Sequence, residues 1–402
     1  MTVCLIMIVK NEAHVIERCL LSVKPIIDSW CIVDTGSTDG TQDLIKEIYK
    51  DIPGTLHEKP WKNFAANRTE SIELARQTNE TSYGLVIDAD DVLEIPADYK
   101  LPILTATTYR LRIEYSGTTY YRPHLFQLSK PFRYESVLHE YLMCDGLDIS
   151  GDPILENVIY RCFPEGSRST DPQKFLKDAD TLREALKKEP GNPRYMFYLA
   201  QSLKDAGKIE KAIVAYERRA NVVGWHEETW LSMQEAARLK EWVNEAEQTI
   251  VNGYLRAYEF RPQRVEPLYE LARYYRSKKN RPAIAYIYAA AGYGAPRPDD
   301  RLMLDESIYL WRMDYEFAIA SWYAGKKDES RKAHVLLLEN AHVPEEERAR
   351  LVDNMHFFTD GASTGGGLGS RVTAAAIQGA EDGAVLTGEA ALLVGRRGFR
   401  HG

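Results

Sequence analysis

Short, unbroken apolar runs punctuate the first quarter of the chain, and polar or acidic residues follow each one. Val3 to Val9 is the first, Trp30 to Val33 the second and Leu85 to Ile87 the third. Runs this short and rich in β-prone residues mark strands covered on both faces of an open α/β sheet. Helical patterns separate them. One is expected from Glu12 to about Val23, with Asn11 as its N-cap, and another from Gln42 to Tyr49, after the loop Thr35-Gly36-Ser37-Thr38-Asp39-Gly40-Thr41. Strand, glycine-bearing loop and helix in alternation predict βα units of a mostly parallel sheet. Further on, Tyr109 to Tyr115 alternates polar and apolar, Ser116-Gly117 breaks the pattern, and Thr119 to Leu128 resumes it. That is hairpin patterning, so antiparallel strands are expected beside the parallel core.

From Asp171 the pattern changes to that of helices. Lys174 to Lys188 predicts one amphipathic helix, stopped by Pro190-Gly191. Tyr195 to Leu203 and Ile209 to Ala220 predict a pair joined at Ala206-Gly207-Lys208. Leu199, Ala200, Gly207, Ala212, Tyr216 and Ala220 fall where a tetratricopeptide repeat alternates large and small residues. Looser pairs follow over 228–258, 265–291 and 305–340. Their aromatic stripe reads as packing between stacked helices, and such solenoids commonly bind extended partners on a concave face. Beyond about Gly361 the chain is rich in Gly, Ala and Ser and predicts a flexible tail. The expected division is 1–165, 171–358 and 361–402.

Composition narrows the function. A net charge of -8 argues against a general affinity for nucleic acid, which depends on Lys and Arg to neutralise phosphates. The five cysteines are scattered without a CxxC pair, as in a reduced, cytoplasmic protein. The run Val3 to Val9 is too short to cross a bilayer, so no membrane span is expected.

The candidate chemistry lies at the strand ends, where ligands of open α/β sheets bind. Asp88 and Asp90 are two apart, so extended backbone through Ala89 would project both to one side. Such a pair suits Mg²⁺ or Mn²⁺ bridged to phosphate oxygens, and an acidic turn is the alternative. Asp34 closes the second strand, with turn chemistry as its other role, and Asp39 fits a helix cap. Arg68, on a helix predicted within 61–77, has the fork geometry for a phosphate or base carbonyl, although solvated helix arginines are commoner. His139 and Glu140 are adjacent titratable groups in an apolar setting. Either suits a general base or a metal ligand, and the dipeptide alone reads as structural.

Taken together, Leu5-Ile6-Met7-Ile8-Val9-Lys10-Asn11-Glu12, Val33 to Thr41 and Ile87-Asp88-Ala89-Asp90-Asp91 resemble the three ordered blocks of family-2 glycosyltransferases. Phe132 to Tyr141 and the repeat Arg194 to Ala220 resemble the branch that couples this domain to tetratricopeptide repeats, similar in layout to the peptide S-glycosyltransferases. The resemblance covers roughly 1–340. It implies an α/β, GT-A (Rossmann-like) mixed-sheet catalytic domain followed by an all-α repeat domain. It also implies inverting transfer of a sugar from a nucleotide-sugar donor, UDP-linked by expectation, to a protein, peptide or glycan acceptor, with Mn²⁺ or Mg²⁺ as cofactor. Asp34 matches the aspartate set against uracil, and Arg68 and Lys10 join the nucleotide-sugar-binding set. Asp88 and Asp90 match the DxD that holds ion and diphosphate, and Asp91 is a possible substitute for one of them. Glu140 is the expected catalytic base and His139 a further metal ligand. Acceptor docking on the repeats and homo-oligomers are compatible with this layout. The rival reading is a repeat-based interaction protein with a vestigial nucleotide-binding domain. A nucleotidyltransferase ranks last, because Val9-Lys10-Asn11-Glu12 lacks a glycine-rich loop.

Overall fold

The computed structural model describes residues 2–359 except 80, 81, 116, 117, 150, 164 and 167–170. The expected hairpin break at Ser116-Gly117 and the expected tail lie outside the described residues. The chain forms two compact units that divide after Pro190, so the helix over 174–188 belongs with the first.

The first unit opens with β1 (Val3–Val9), α1 (Ile16–Val23), β2 (Ser29–Asp34), α2 (Thr41–Ile48), β3 (Gly54–Glu58), α3 (Phe64–Asn79) and β4 (Tyr83–Val86). The shorter β5 (Val92–Glu94) precedes the hairpin of β6 (Thr108–Tyr115) and β7 (Thr118–Gln127). Then come β8 (Arg133–Glu135), β9 (Tyr141–Met143), β10 (Ile154–Arg161) and α4 (Lys174–Lys188). One sheet runs β3-β2-β1-β4-β7-β6-β10-β5, and β8 and β9 form a separate ribbon. The four strands β1 to β4 are parallel, while β7 joins β4 antiparallel. The mixed sheet thus has the composition the patterning predicts.

Alternation along β1 decides the layers. Val3, Leu5, Met7 and Val9 pack with Cys19, Leu20 and Val23 of α1 and Ile45 of α2. Cys4 and Ile6 point the other way, onto Ala65, Ile72 and Ala75 of α3. A strand buried on both sides has no polar face, and this is why the run reads as continuously apolar.

The second unit is helical: α5 (Pro193–Asp205), α6 (Ile209–Ala220), α7 (His226–Trp242), α8 (Glu247–Phe260), α9 (Glu266–Arg273), α10 (Pro282–Gly292), α11 (Met313–Tyr323), α12 (Lys327–Glu339) and α13 (Glu345–Thr359). A π-helical segment extends α9 over Tyr274–Lys278, and another, Ile308–Arg312, leads into α11. The Asn192 side chain caps α5 by accepting from the Tyr195 amide at 3.1 Å, with Pro193 at the first helical position. The turns between paired helices share one device. Gly207, Asn244, Asn280 and Gly325 all adopt positive φ, which ends a helix and returns the chain antiparallel. Successive first helices are joined by ion pairs: Arg238 to Glu270, Arg273 to Glu241 and Arg276 to Glu316. Glu316 is buried, and Arg276 meets both its oxygens at 2.7 Å.

Removing one partner of a buried pair leaves an uncompensated charge. Arg276→Ala should therefore cost about 3–5 kcal/mol in the unfolding transition of the helical unit, measured by urea denaturation of the full chain. A loss under about 1 kcal/mol, the size of an exposed pair, would contradict this placement.

Candidate active site

The parallel register gathers the candidate residues at one edge of the sheet. Val9 pairs with Asp34 across β1 and β2, and Ile6 pairs with Val86 across β1 and β4. With β2 and β3 on one side of β1 and β4 on the other, the connection reverses direction at β1. Such a switch point is where open α/β sheets form a ligand crevice. Asp34, exposed Lys10 and Asp88 all stand at this edge.

Asp34 is buried. Its Oδ1 accepts from the backbone amides of Gly36 at 2.6 Å and Ser37 at 2.7 Å, a turn that needs the positive φ of Gly36. Its Oδ2 is equally buried and has no hydrogen-bond partner. A buried carboxylate oxygen without a donor is costly, so it marks a place where a ligand N–H fits. The loop behind it is tied to the end of β1: the Asn11 amide donates to Ser37 Oγ at 2.9 Å, and Asn11 Oδ1 accepts from the Thr38 amide at 2.8 Å. Asn11 was expected to cap α1. Instead it takes a left-handed conformation with φ 56° to pin this loop, and α1 starts only at Ile16. Asp39 keeps its expected role, with Oδ1 accepting from the Thr41 amide as α2 begins.

The extended backbone expected through Ala89 does not persist. Strand β4 ends at Val86, and a turn closed by the Asp91 amide donating to the Asp88 carbonyl at 3.1 Å separates the three aspartates. Asp88 keeps a side chain 30% exposed. Asp90 is buried, with Oδ2 accepting from the Gly166 amide at 2.9 Å, while Arg18 donates to its carbonyl. Asp91 is committed to the fold: Oδ1 accepts from the Phe163 amide at 2.9 Å and Oδ2 from the Tyr160 hydroxyl at 2.8 Å.

Arg68 lies on the buried face of α3 beneath this edge. Its Nε donates to Glu140 Oε1 at 2.7 Å, a terminal nitrogen pairs with Asp88 Oδ1, and the guanidinium lies 5.6 Å from the Tyr134 ring centre. Burial alone would favour its neutral form, yet Asp88 and Glu140 hold it firmly charged. The expected nucleotide contact, the expected diphosphate ligand and the expected base are thus one ion-paired cluster. His139 sits in the loop between β8 and β9, at φ 52°. Among the described residues no group of three or more His, Cys, Asp and Glu is arranged to hold a metal ion, so Asp88, Asp90 and His139 are not preassembled as a three-ligand site.

The hairpin supplies residues that motif reading missed. Tyr120, Arg122 and His124 lie two apart along β7, and that alternation was the available signal. Half-buried Arg122 lies near Tyr134, Tyr160 and Glu140, and its side chain bonds Tyr120. His124 bonds the Val86 carbonyl through Nδ1 at 2.8 Å and lies 4.5 Å from the Tyr160 ring centre. Burial, with the nearby Arg122 charge, pushes its pKa down to about 3.

Residues 4–102 match the sequence profile described as Glycosyl transferase family 2. The match falls wholly within the N-terminal unit and spans β1 to β5. Over 225 residues the chain is 28% identical to the SPbeta prophage-derived glycosyltransferase SunS of Bacillus subtilis, covering 53% of this chain and 52% of SunS. Over 146 residues it is 32% identical to a TPR repeat-containing protein of Synechococcus elongatus, covering 34% of each chain. The chain spans about half the length of the first of these relatives and a third of the second. Among solved structures it is similar to S. aureus TarS 1–349 in complex with UDP-GlcNAc, at 13% identity and TM-score 0.32, covering 65% of this chain and 92% of that one. A family 2 domain followed by tetratricopeptide-like repeats is the organisation the sequence blocks imply.

A histidine neutral in the fold and free to charge when unfolded makes stability depend on pH. Below an unfolded value near 6.5 the unfolded state binds the extra proton, so stability falls as pH drops from about 6.5 to about 3. Urea unfolding at pH 7 and pH 5 should show a drop that His124→Gln reduces. An identical drop in the variant would mean that His124 is not buried neutral.

Proposed function

We propose that this chain is a metal-dependent, inverting glycosyltransferase that moves a sugar from a UDP-sugar to a protein, peptide or glycan acceptor. The observation that carries the donor half is the unpartnered, buried Oδ2 of Asp34 at the strand edge. One free acceptor matches the single ring N–H of uracil. Guanine presents adjacent N–H donors and needs two acceptors, and Asp34 Oδ1 already serves two backbone amides.

Charge balance supports a divalent ion. Arg68 and Arg122 are offset by Asp88 and Glu140, so a diphosphate entering this cluster meets no surplus of positive charge. The side-chain chemistry fits Mg²⁺ or Mn²⁺: Asp88 is a partly exposed hard oxygen donor with Asp90 two residues on, and these ions keep several waters beside one or two carboxylates. When bound, the ion would stabilise the charge that grows on the departing nucleotide. The chain's own residues do the rest. Asp34 orients the base, Arg68 and Arg122 face the diphosphate with fork-shaped donors, and Lys10 adds an exposed charge at the rim. Glu140, ion-paired to Arg68 Nε, would take the acceptor's proton as the nucleophile attacks. The helical repeats are the proposed docking surface for the acceptor.

Nucleotide release from UDP-sugars with Mn²⁺ tests this reading. Wild type should turn over at least one UDP-sugar, and Asp90→Ala should lose about a hundredfold or more in kcat. Asp34→Asn, which replaces the free acceptor by an amide donor, should raise KM for the UDP-sugar about tenfold or more. No turnover by wild type across several donors would favour the interaction-protein reading. Equal KM values in wild type and Asp34→Asn would remove the base-recognition argument.

A further inference from the structure

Arg68 spans two carboxylates that the proposed reaction uses separately. On α3 its Nε holds Glu140 at 2.7 Å, while a terminal nitrogen pairs with Asp88. The arginine side chain is only 10% exposed and that of Glu140 14%, whereas Asp88 is 30% exposed. The Glu140 end is therefore the sheltered anchor, and the Asp88 end opens to solvent. A divalent cation that binds Asp88 must compete with a guanidinium already there.

We propose that Arg68 is a resident counter-ion whose pair with Asp88 opposes binding of a divalent cation on its own and is relieved when a nucleotide diphosphate arrives. The inference rests on the donor-site reading above and adds a coupling to it. In the empty site the Arg68–Asp88 pair lowers the affinity of Asp88 for any other cation. A diphosphate offers the guanidinium a replacement anion of matching fork geometry, so releasing Asp88 then leaves no buried charge unpaired. Cation and nucleotide thus favour each other, and the coupling is reciprocal, as any linkage between two ligands must be. The Nε bond to Glu140 need not break, so Arg68 acts as a positioning residue for the base throughout.

A purely structural arginine predicts the opposite metal response. Its loss would loosen the site and weaken cation binding, whereas loss of a competitor tightens it. Removing a unit charge at contact distance from a carboxylate that takes a divalent ion should tighten the ion about tenfold or more. Arg122 provides the control for general field effects, because its side-chain bond goes to Tyr120 and it leaves the Asp88 pair in place.

The test is Mn²⁺ binding to the full chain, followed by the loss of the free-ion electron paramagnetic resonance signal, without donor and then with saturating UDP. Arg68→Met should bind Mn²⁺ alone at least about tenfold tighter than wild type, and UDP should add less to that affinity than it adds in wild type. Arg122→Met should give a clearly smaller gain. Unchanged or weaker Mn²⁺ binding by Arg68→Met with a wild-type melting transition would overturn the proposal, and so would an equal gain in Arg122→Met. Should Arg68→Met fail to fold, Glu140→Gln carries the test. It leaves Arg68 to Asp88 alone and should weaken Mn²⁺ binding, while unchanged or tighter binding overturns the idea. If wild type binds no Mn²⁺ even with UDP, the metal reading of the donor site falls, and that failure is distinct from a failure of the coupling.

Discussion

The site depends on one constraint: three parallel strands, each buried on both faces, must end together. Pairing of β2 and β4 with β1 fixes where Asp34 and Asp88 stand relative to Lys10. A slip by one residue would turn every side chain of a strand to the opposite layer, and two different helical layers pack on the two faces. The register is therefore enforced by the whole core. Polar residues at the strand ends are held in position by apolar residues that have no part in the chemistry.

At this edge the electrostatics is arranged with little slack. Buried Arg68 pairs with two carboxylates, half-buried Arg122 lies near one of them, and a third carboxylate, Asp34, is half satisfied by backbone amides. Such an arrangement is stable when empty because nearly every buried charge has a partner. The proposed donor would bring both an N–H and an anionic diphosphate to these groups. On the proposed function the same residues serve the folded state without ligand and the bound state.

Much of the first unit is legible in the sequence because local pattern and tertiary demand agree. Val3 to Val9 is apolar throughout because both of its faces are covered, and the loop ending in Asp39-Gly40 gives way to α2 as capping chemistry requires. In the second unit the residues at positive φ, Gly207, Asn244, Asn280 and Gly325, mark the turns even where the repeat consensus is lost. What was not legible is set by long-range contacts. The turn that parts Asp88 from Asp90 is stabilised by amides of Phe163 and Gly166, which lie 72 and 76 residues beyond the aspartates they bind. Arg122 and His124 enter the site only because β7 pairs antiparallel with β4. Asn11 has the composition of a helix cap, and its use to pin a neighbouring loop follows from the β1 and β2 ends lying side by side.

On the proposed function, the buried, unpartnered oxygen of Asp34 receives the nucleotide base while the Asp88 edge receives its diphosphate. A crystal structure of the full chain with UDP and Mn²⁺ tests it most directly. The uracil ring nitrogen should lie within hydrogen-bonding distance of Asp34 Oδ2, with the diphosphate beside Asp88 and Arg68. UDP bound elsewhere on the chain, with Asp34 Oδ2 still unpartnered, would contradict it.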